Sequence, residues 1–445
     1  MAKSKGCFVG IQLDGHVLDG RDAAEVIDEI QALTPLNAIM LFHGDRMRRS
    51  ADHSAGTPFR HPIQGLDDDG RDLLDRLQAP AQKRGVQLIL GIGEDRWGYH
   101  PAYHGYTSIA MVDCFGRTNR QSCVNHPVWR AFQLASIEDI VREHPFLFGV
   151  MFMHERVGPL SAVFYPGEWQ GGRNPWCFCE HCDRKGRDRG IDPERAKAGY
   201  KALLRLFDDG AARPSDGWFI SFWRLISRYS EILAWDQFQW DSLQDFRAAM
   251  AGAARVAATA AGSKTTFSVG FHFQHATLLG QMFWRAMDDP QRVIEYADWV
   301  KPSVYPGCCG TRYSNSLNAI HKTLLADFPK DEAHGFISRL FLRDPAIGAD
   351  RVRSGENKHS AFPPAWVRGE VERLVKSCAP KPLYAGLGIG IPGGEKAETP
   401  RQVAAWTEAC FDGGAHGILL SRHYSEMKPP LLRAAGAVIR RRGGF

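Results

Sequence analysis

The 445-residue sequence is 44% hydrophobic, 24% charged and 11% aromatic, with 55 Lys and Arg against 50 Asp and Glu for a formal charge of +5. These proportions exclude a disordered chain, a collagen-like repeat and a small disulfide scaffold. The basic excess is dispersed, its one run being Arg440, Arg441 and Arg442, so no nucleic-acid partner is expected. No segment approaches about 18 unbroken apolar residues, and Met1 to Gly6 does not lead into a signal-peptide core. No membrane partner and a cytoplasmic location are therefore expected. In that setting the 10 cysteines read as thiols or metal ligands rather than disulfides.

In chain order, apolar runs bounded by Gly, Pro, Asp or His alternate with segments of helical period. The predicted strand Cys7 to Leu13 precedes a helix from Ala23 to Leu33, and Ala38 to His43 precedes Asp72 to Arg84. Val86 to Gly91 precedes Pro127 to Glu143. Leu147 to His154 is followed, after a long interval, by a helix from Leu243 to Ala260. Thr266 to Phe273 and Trp299 to Tyr305 come next, with helices at Ser316 to Ala326 and Pro364 to Ser377. Pro382 to Ile391 precedes Pro400 to Asp412, and Gly417 to Arg422 precedes Pro430 to Arg441.

Eight strand-helix units, with no glycine-rich dinucleotide turn after the first strand, predict an α/β chain forming one (beta/alpha)8 TIM barrel over residues 1–445 rather than an open doubly wound sheet. Its chemistry is then expected on the loops after the strands. One interval is too long: about 110 residues separate Glu155 from Thr266, where a loop and helix need about 30. An insertion after the fourth strand, over 158–240, is predicted there. The long interval holds a cysteine cluster, a basic stretch from Arg184 to Lys201, and then two aromatic-rich helices, Trp218 to Trp235 and Phe238 to Ala260.

Cys177, Cys179 and Cys182 form a C-x-C-x-x-C triplet. Tight turns aim three such sulfurs at one point, and thiolates are the soft ligands that zinc takes in closed tetrahedral sites. The fourth ligand comes from Cys123, after the third strand, or from Cys114 or His181. The expected cofactor is a structural Zn2+, since four thiolates leave no position open for water. The remaining thiols divide into a pair after the sixth strand, Cys308 and Cys309, and small core hydrophobes at Cys7, Cys378 and Cys410.

The order Gly116-Arg…Cys123-Val-Asn-His-Pro127, Glu155, and Cys177 to Cys182 resembles the glycoside hydrolase family 42 beta-galactosidases and related barrels, over roughly the first 270 residues. The run Trp235-Asp-Gln-Phe-Gln-Trp-Asp241 before the fifth strand is similar to that family as well, whereas the ending around Gly413 to Met427 looks more like uncharacterised glycosidases. The resemblance implies zinc on Cys123, Cys177, Cys179 and Cys182, and Glu155 as general acid/base. Two positions depart from the pattern. His154 stands where the family has Asn, and the seventh strand, Gly386-Leu-Gly-Ile-Gly-Ile-Pro392, carries no acid, the first carboxylate after it being Glu395.

Read without the family, the strand ends carry Asp14 and His16, His43 and Asp45, Glu94 and Asp95, His154 and Glu155, His272 and Gln274, Tyr305, Glu395, and Arg422, His423 and Glu426. Trp97, Tyr99, Tyr103, Trp169, Trp176 and Tyr313 are expected nearby. Carboxylates accept from sugar hydroxyls and flat rings cover apolar sugar faces, so the partner expected is a carbohydrate. Asp14, His43, Glu94, His154, His272, Tyr305, Arg422 and Glu426 are the candidate binding residues. Glu155 and Glu395 are the candidate catalytic pair, because glycoside hydrolysis uses two carboxyl groups.

An exo-acting, beta-galactosidase-like glycosidase is the first expectation. Two alternatives share the barrel: a metal-dependent sugar lyase, isomerase or epimerase built on His16, His43, His154 and His272, and a sugar-binding barrel without hydrolysis. Since related barrels often assemble, the resemblance also leaves room for a homo-oligomer.

Overall fold

A computed structural model describes residues 6–42, 73–93, 109–153, 156, 158–165, 173–208, 210–263, 266–274, 280–341, 361–391 and 397–445. Ten strands lie in it: β1 (Phe8–Leu13), β2 (Ala38–Phe42), β3 (Gln87–Gly93), β4 (Ala110–Val112), β5 (Thr118–Ser122), β6 (Gly149–Met153), β7 (Ser268–Phe273), β8 (Trp299–Val304), β9 (Tyr384–Gly388) and β10 (Gly417–Ser421). Eight of them close into a parallel barrel in the order β1-β10-β9-β8-β7-β6-β3-β2, each of the eight corresponding to a strand expected from the sequence. β4 and β5 form a separate antiparallel pair that sequence patterning missed, because Thr118-Asn-Arg-Gln-Ser122 is polar throughout and carries no alternation.

Alternation along each barrel strand sorts the side chains. Val9, Ile11, Leu13, Ile39, Leu41, Leu88, Leu90, Val150, Phe152, Val269, Phe271, Ile418 and Leu420 face outward into the main core beneath the helices. Phe8, Met40, Ile89, Met151, Met153, Trp299, Tyr384 and Leu419 fill the interior. Phe8 stacks on Tyr384 with ring centroids 4.0 Å apart, and Trp299 lies 5.3 Å from Tyr384. A ring this wide needs space on the neighbouring strand, and a Cβ on Gly270 would sit 2.2 Å from the Trp299 indole.

The helices follow their sequence signals. Ala23–Leu33 is capped by Asp22, whose carboxylate accepts from the Ala24 and Glu25 amides, and it buries Val26, Ile27, Ile30 and Leu33 at helical spacing. Pro400–Asp412 opens with a Thr399/Gln402 capping box.

Between β6 and β7 run the helices Pro159–Phe164, Glu180–Asp188, Pro193–Leu206, Gly217–Arg228 and Glu231–Ala260. The break between the last two falls at Tyr229 and Ser230, not after Trp235 as the aromatic pattern suggested. Arg195 pins that corner, donating to Glu231 Oε1 at 2.7 Å and to the Arg228 carbonyl at 3.0 Å. Trp235, Phe238, Trp240 and Leu243 are then all buried on a 30-residue helix that packs along Pro127–Glu143. Among the described residues no helix is long and apolar enough to cross a membrane.

Candidate functional site

In a closed parallel barrel the loops beyond the strands' carboxyl ends share one mouth. Asp14, directly after β1, is buried, and its Oδ2 accepts from the Ser425 amide at 3.3 Å. Arg422, directly after β10, has φ +67°, a left-handed conformation that costs a non-glycine residue roughly 1–3 kcal/mol. Its guanidinium holds both oxygens of Glu426, at 3.0 and 3.1 Å. The structure therefore brings Asp14, Arg422 and Glu426 together, and the Arg422–Glu426 pair neutralises two of the expected sugar-binding charges. Beside them Tyr424 donates to Glu29 at 2.8 Å. Arg21 and Tyr424 together hold that carboxylate below its usual range.

Inside the barrel, below the mouth, β7 and β8 place His272, Lys301, Ser303 and Tyr305 in one polar group. The Lys301 ammonium donates to His272 Nδ1 at 3.2 Å and to the Tyr305 hydroxyl at 3.2 Å, and His272 Nε2 lies 3.1 Å from Ser303 Oγ. Lys301 is wholly buried and Tyr305 is 9% exposed. Burial, followed by the nearby charges of Lys301 and Arg247, holds His272 far below its ordinary imidazole range, so it is neutral. Sequence reasoning singled out His272 and Tyr305 but passed over Lys301. A lone lysine in Trp299-Val-Lys-Pro-Ser-Val304 reads as a strand-edge charge until inward parity is known.

Glu398, also missed, lies beyond β9. Its Oε2 accepts from the Gly390 amide at 2.7 Å, and a Cβ on Gly307 would come within 2.0 Å of its Oε1. The carboxylate thus sits between the loops following β8 and β9. Burial pushes its carboxyl group up, and no cation pairs with it among the described residues.

His43, Glu94, His154, Glu155 and Glu395 lie outside the described residues, as do Trp97, Tyr99, Tyr103 and Trp169. His16 is on the surface, its side chain 83% exposed and 3.6 Å from Asp19. Two aromatics expected at the mouth are core residues instead. Trp176 is buried beside the cysteine segment, bridged to Asp113, and Tyr313 is buried with its hydroxyl on Ser338 at 2.8 Å. Large rings flanked by polar sequence look exposed, and only the packing shows otherwise.

The four cysteines converge. The sulfurs of Cys123, Cys177, Cys179 and Cys182 all lie within 4.8 Å of one another, with Cys123 at 3.4 Å from Cys182 and 3.6 Å from Cys179. Tetrahedral thiolates around a zinc-sized ion would stand about 3.8 Å apart. The β4–β5 pair delivers Cys123, the turn before Glu180–Asp188 delivers Cys177 and Cys179, and the first turn of that helix delivers Cys182. Cys114 and His181 are not in the cluster. Backbone amides of Val112 and Asn125 point at Cys177 and Cys123 at 3.4 and 3.3 Å, and the Asn125 side chain donates to Cys182 at 3.4 Å. Burial raises the Cys177 and Cys182 thiols well above their usual range. A divalent cation would reverse that penalty by deprotonating its ligands, so the group fits a metal ion.

No protein-family profile matches the sequence, and no curated protein matches it. Among solved structures the chain is similar to a beta-galactosidase from the psychrophilic Marinomonas ef1, at 12% identity and a TM-score of 0.53, covering 97% of this chain and 59% of that one. It is also similar to the PgaB (BpsB) glycoside hydrolase domain from Bordetella bronchiseptica, at 12% identity, a TM-score of 0.48 and 94% of each chain. A GH113 beta-1,4-mannanase matches at 11% identity and a TM-score of 0.40, over 97% of this chain and 98% of that one. The chain spans about three fifths of the length of the Marinomonas enzyme. At this identity the likeness to the Marinomonas structure establishes a shared fold alone, and these structural neighbours are glycoside hydrolases.

Proposed function

We propose that this protein is a glycoside hydrolase whose barrel mouth binds a carbohydrate and cleaves it by carboxylate acid/base catalysis. The observation that carries the reading is the set of carboxylates and hydroxyl donors at one end of the barrel: Asp14, Glu426 and Glu398 at the rim, with Tyr305 below. Glu155 is the proposed general acid/base. It follows Met153, an interior residue of β6, by two positions in the sequence. Its partner is proposed in the segment after β9, which carries Glu395 and Glu398. β9 itself offers none, since its inward positions after Tyr384 are Gly386 and Gly388. An exo-acting, beta-galactosidase-like specificity is the substrate proposal. Release of 4-nitrophenol from a panel of aryl glycosides tests it, and no turnover of any member by folded protein would overturn it.

The glycines of β9 favour one second reading, a carbohydrate-binding barrel without turnover, in which calorimetry detects oligosaccharide binding and no product forms. The metal-dependent alternative is disfavoured. His16 is on the surface, and both ring nitrogens of His272 are engaged within the barrel. For the cysteine cluster we propose a structural Zn2+ that ties the β4–β5 pair to the segment after β6. A cytoplasmic location and a homo-oligomeric state are proposed with it.

A further inference from the structure

We infer that Lys301 is a positioning residue, which fixes the Tyr305 hydroxyl as a hydrogen-bond donor into the barrel mouth, toward an ionised oxygen at the reacting centre. The inference rests on the hydrolase reading for that last role, and on hydrogen-bond chemistry alone for the rest.

An ammonium has three donors and no acceptor. In its contact with His272 the imidazole Nδ1 must therefore accept, which leaves the proton of the neutral ring on Nε2, where it is donated to Ser303 Oγ. In its contact with Tyr305 the phenol oxygen must accept as well. The single Tyr305 O–H is then free to point elsewhere, and no acceptor for it is found among the described residues. Tyr305 directly follows β8 and continues the inward register of Trp299, Lys301 and Ser303, so the open direction is the mouth.

The charge behind it is unusual. Lys301 is wholly buried, and among the described residues its polar contacts are two neutral groups, with no carboxylate within ion-pair distance. A buried ammonium without a counter-charge costs several kcal/mol, and among the described residues none offsets this one, so an anion near Tyr305 would do so. The chain also makes room for it. A Cβ on Gly386 would fall 2.0 Å from Lys301 Cε, and one on Gly388 would fall 2.6 Å from Tyr305 Cδ1. The two inward glycines of the seventh strand, where an acid would stand in the resembled family, hold these two side chains.

The test is a double-mutant cycle with an independent spectroscopic reading, using the full-length protein, Lys301→Met, Lys301→Gln and Tyr305→Phe. On an aryl glycoside that the parent hydrolyses, Lys301→Met and Lys301→Gln should lower kcat at least tenfold with KM changed less than threefold. In the Tyr305→Phe background the same changes should cost less than twofold, because the lysine acts through the phenol. Multiplicative losses would overturn the inference. Nitrogen-15 spectra of the histidines, which need no turnover, should show His272 with its proton on Nε2 in the parent and a changed Nδ1 signal in either lysine variant. A His272 spectrum indifferent to Lys301 would overturn the arrangement. A parent without hydrolase activity would overturn the hydrolase reading, and the nitrogen-15 result would still decide the arrangement.

Discussion

Lys301 occupies the space that a side chain on Gly386 would need: a Cβ there would lie 2.0 Å from the lysine Cε and 2.6 Å from the Pro302 carbonyl oxygen. One strand thus gives up its side chains so that its neighbour can extend a long cation across the barrel. That exchange accounts for the absence of an acid on the seventh strand in packing terms.

Gly386→Ala is accordingly expected to destabilise the fold by about 1–3 kcal/mol, the usual cost of overpacking. Lys301→Ala in the same chain should recover only part of this, since the clash with the Pro302 carbonyl stays. Urea unfolding midpoints of the two variants and the double variant measure it. A Gly386→Ala protein as stable as the parent would show that the lysine is not wedged there.

The cysteine cluster should carry one metal ion per chain by elemental analysis, retained when folded protein is dialysed against a chelator and released on unfolding. Cys123→Ser and Cys179→Ser should each lose the metal and lower stability by several kcal/mol, since binding to such a site is coupled to folding. Full stability of metal-free protein would remove the structural role.

Glu155→Gln is expected to reduce kcat by roughly 100- to 10,000-fold on substrates with poor leaving groups, the range of a lost general acid. Aryl glycosides with activated leaving groups should be affected less, because their departure needs less protonation. Unchanged hydrolysis of both would reassign the acid.

Asp236 supplies a pH dependence whose sign can be fixed in advance. It is buried, its Oδ1 accepts from the Leu160 amide at 2.8 Å, and desolvation lifts its carboxyl pKa to about 7. With the folded value above the unfolded one, this group's contribution is fully present below about pH 4 and is lost as pH rises toward 7. Asp236→Asn keeps the acceptor and removes the titration. It should be more stable than the parent at pH 8 by at most about 4 kcal/mol, with the advantage vanishing near pH 4. Chemical denaturation at both values checks this, and a constant difference between them would refute it.

The alternation of apolar runs with helical segments determined the barrel before any coordinates. β1, β2, β3, β6, β7, β8, β9 and β10 fall where hydrophobic period and turn residues put them, because each strand's outward face must match the apolar stripe of a helix. The cysteine triplet and Cys123 were legible for a related reason, since their residue type allows few chemistries. The β4–β5 pair, the burial of Trp176 and Tyr313, and the helix break at Tyr229 were not, as each depends on a partner distant in sequence. Only the tertiary structure decided what fills the barrel. Strand period assigns residues to two faces without saying which is inward, and a lysine between two glycine positions acquires meaning when Lys301, His272 and Tyr305 share one enclosed space. The sequence determined by itself which elements form and which cysteines could share an ion. Closure of the sheet decided which polar groups meet, because hydrogen bonds across a barrel join residues that no local pattern connects.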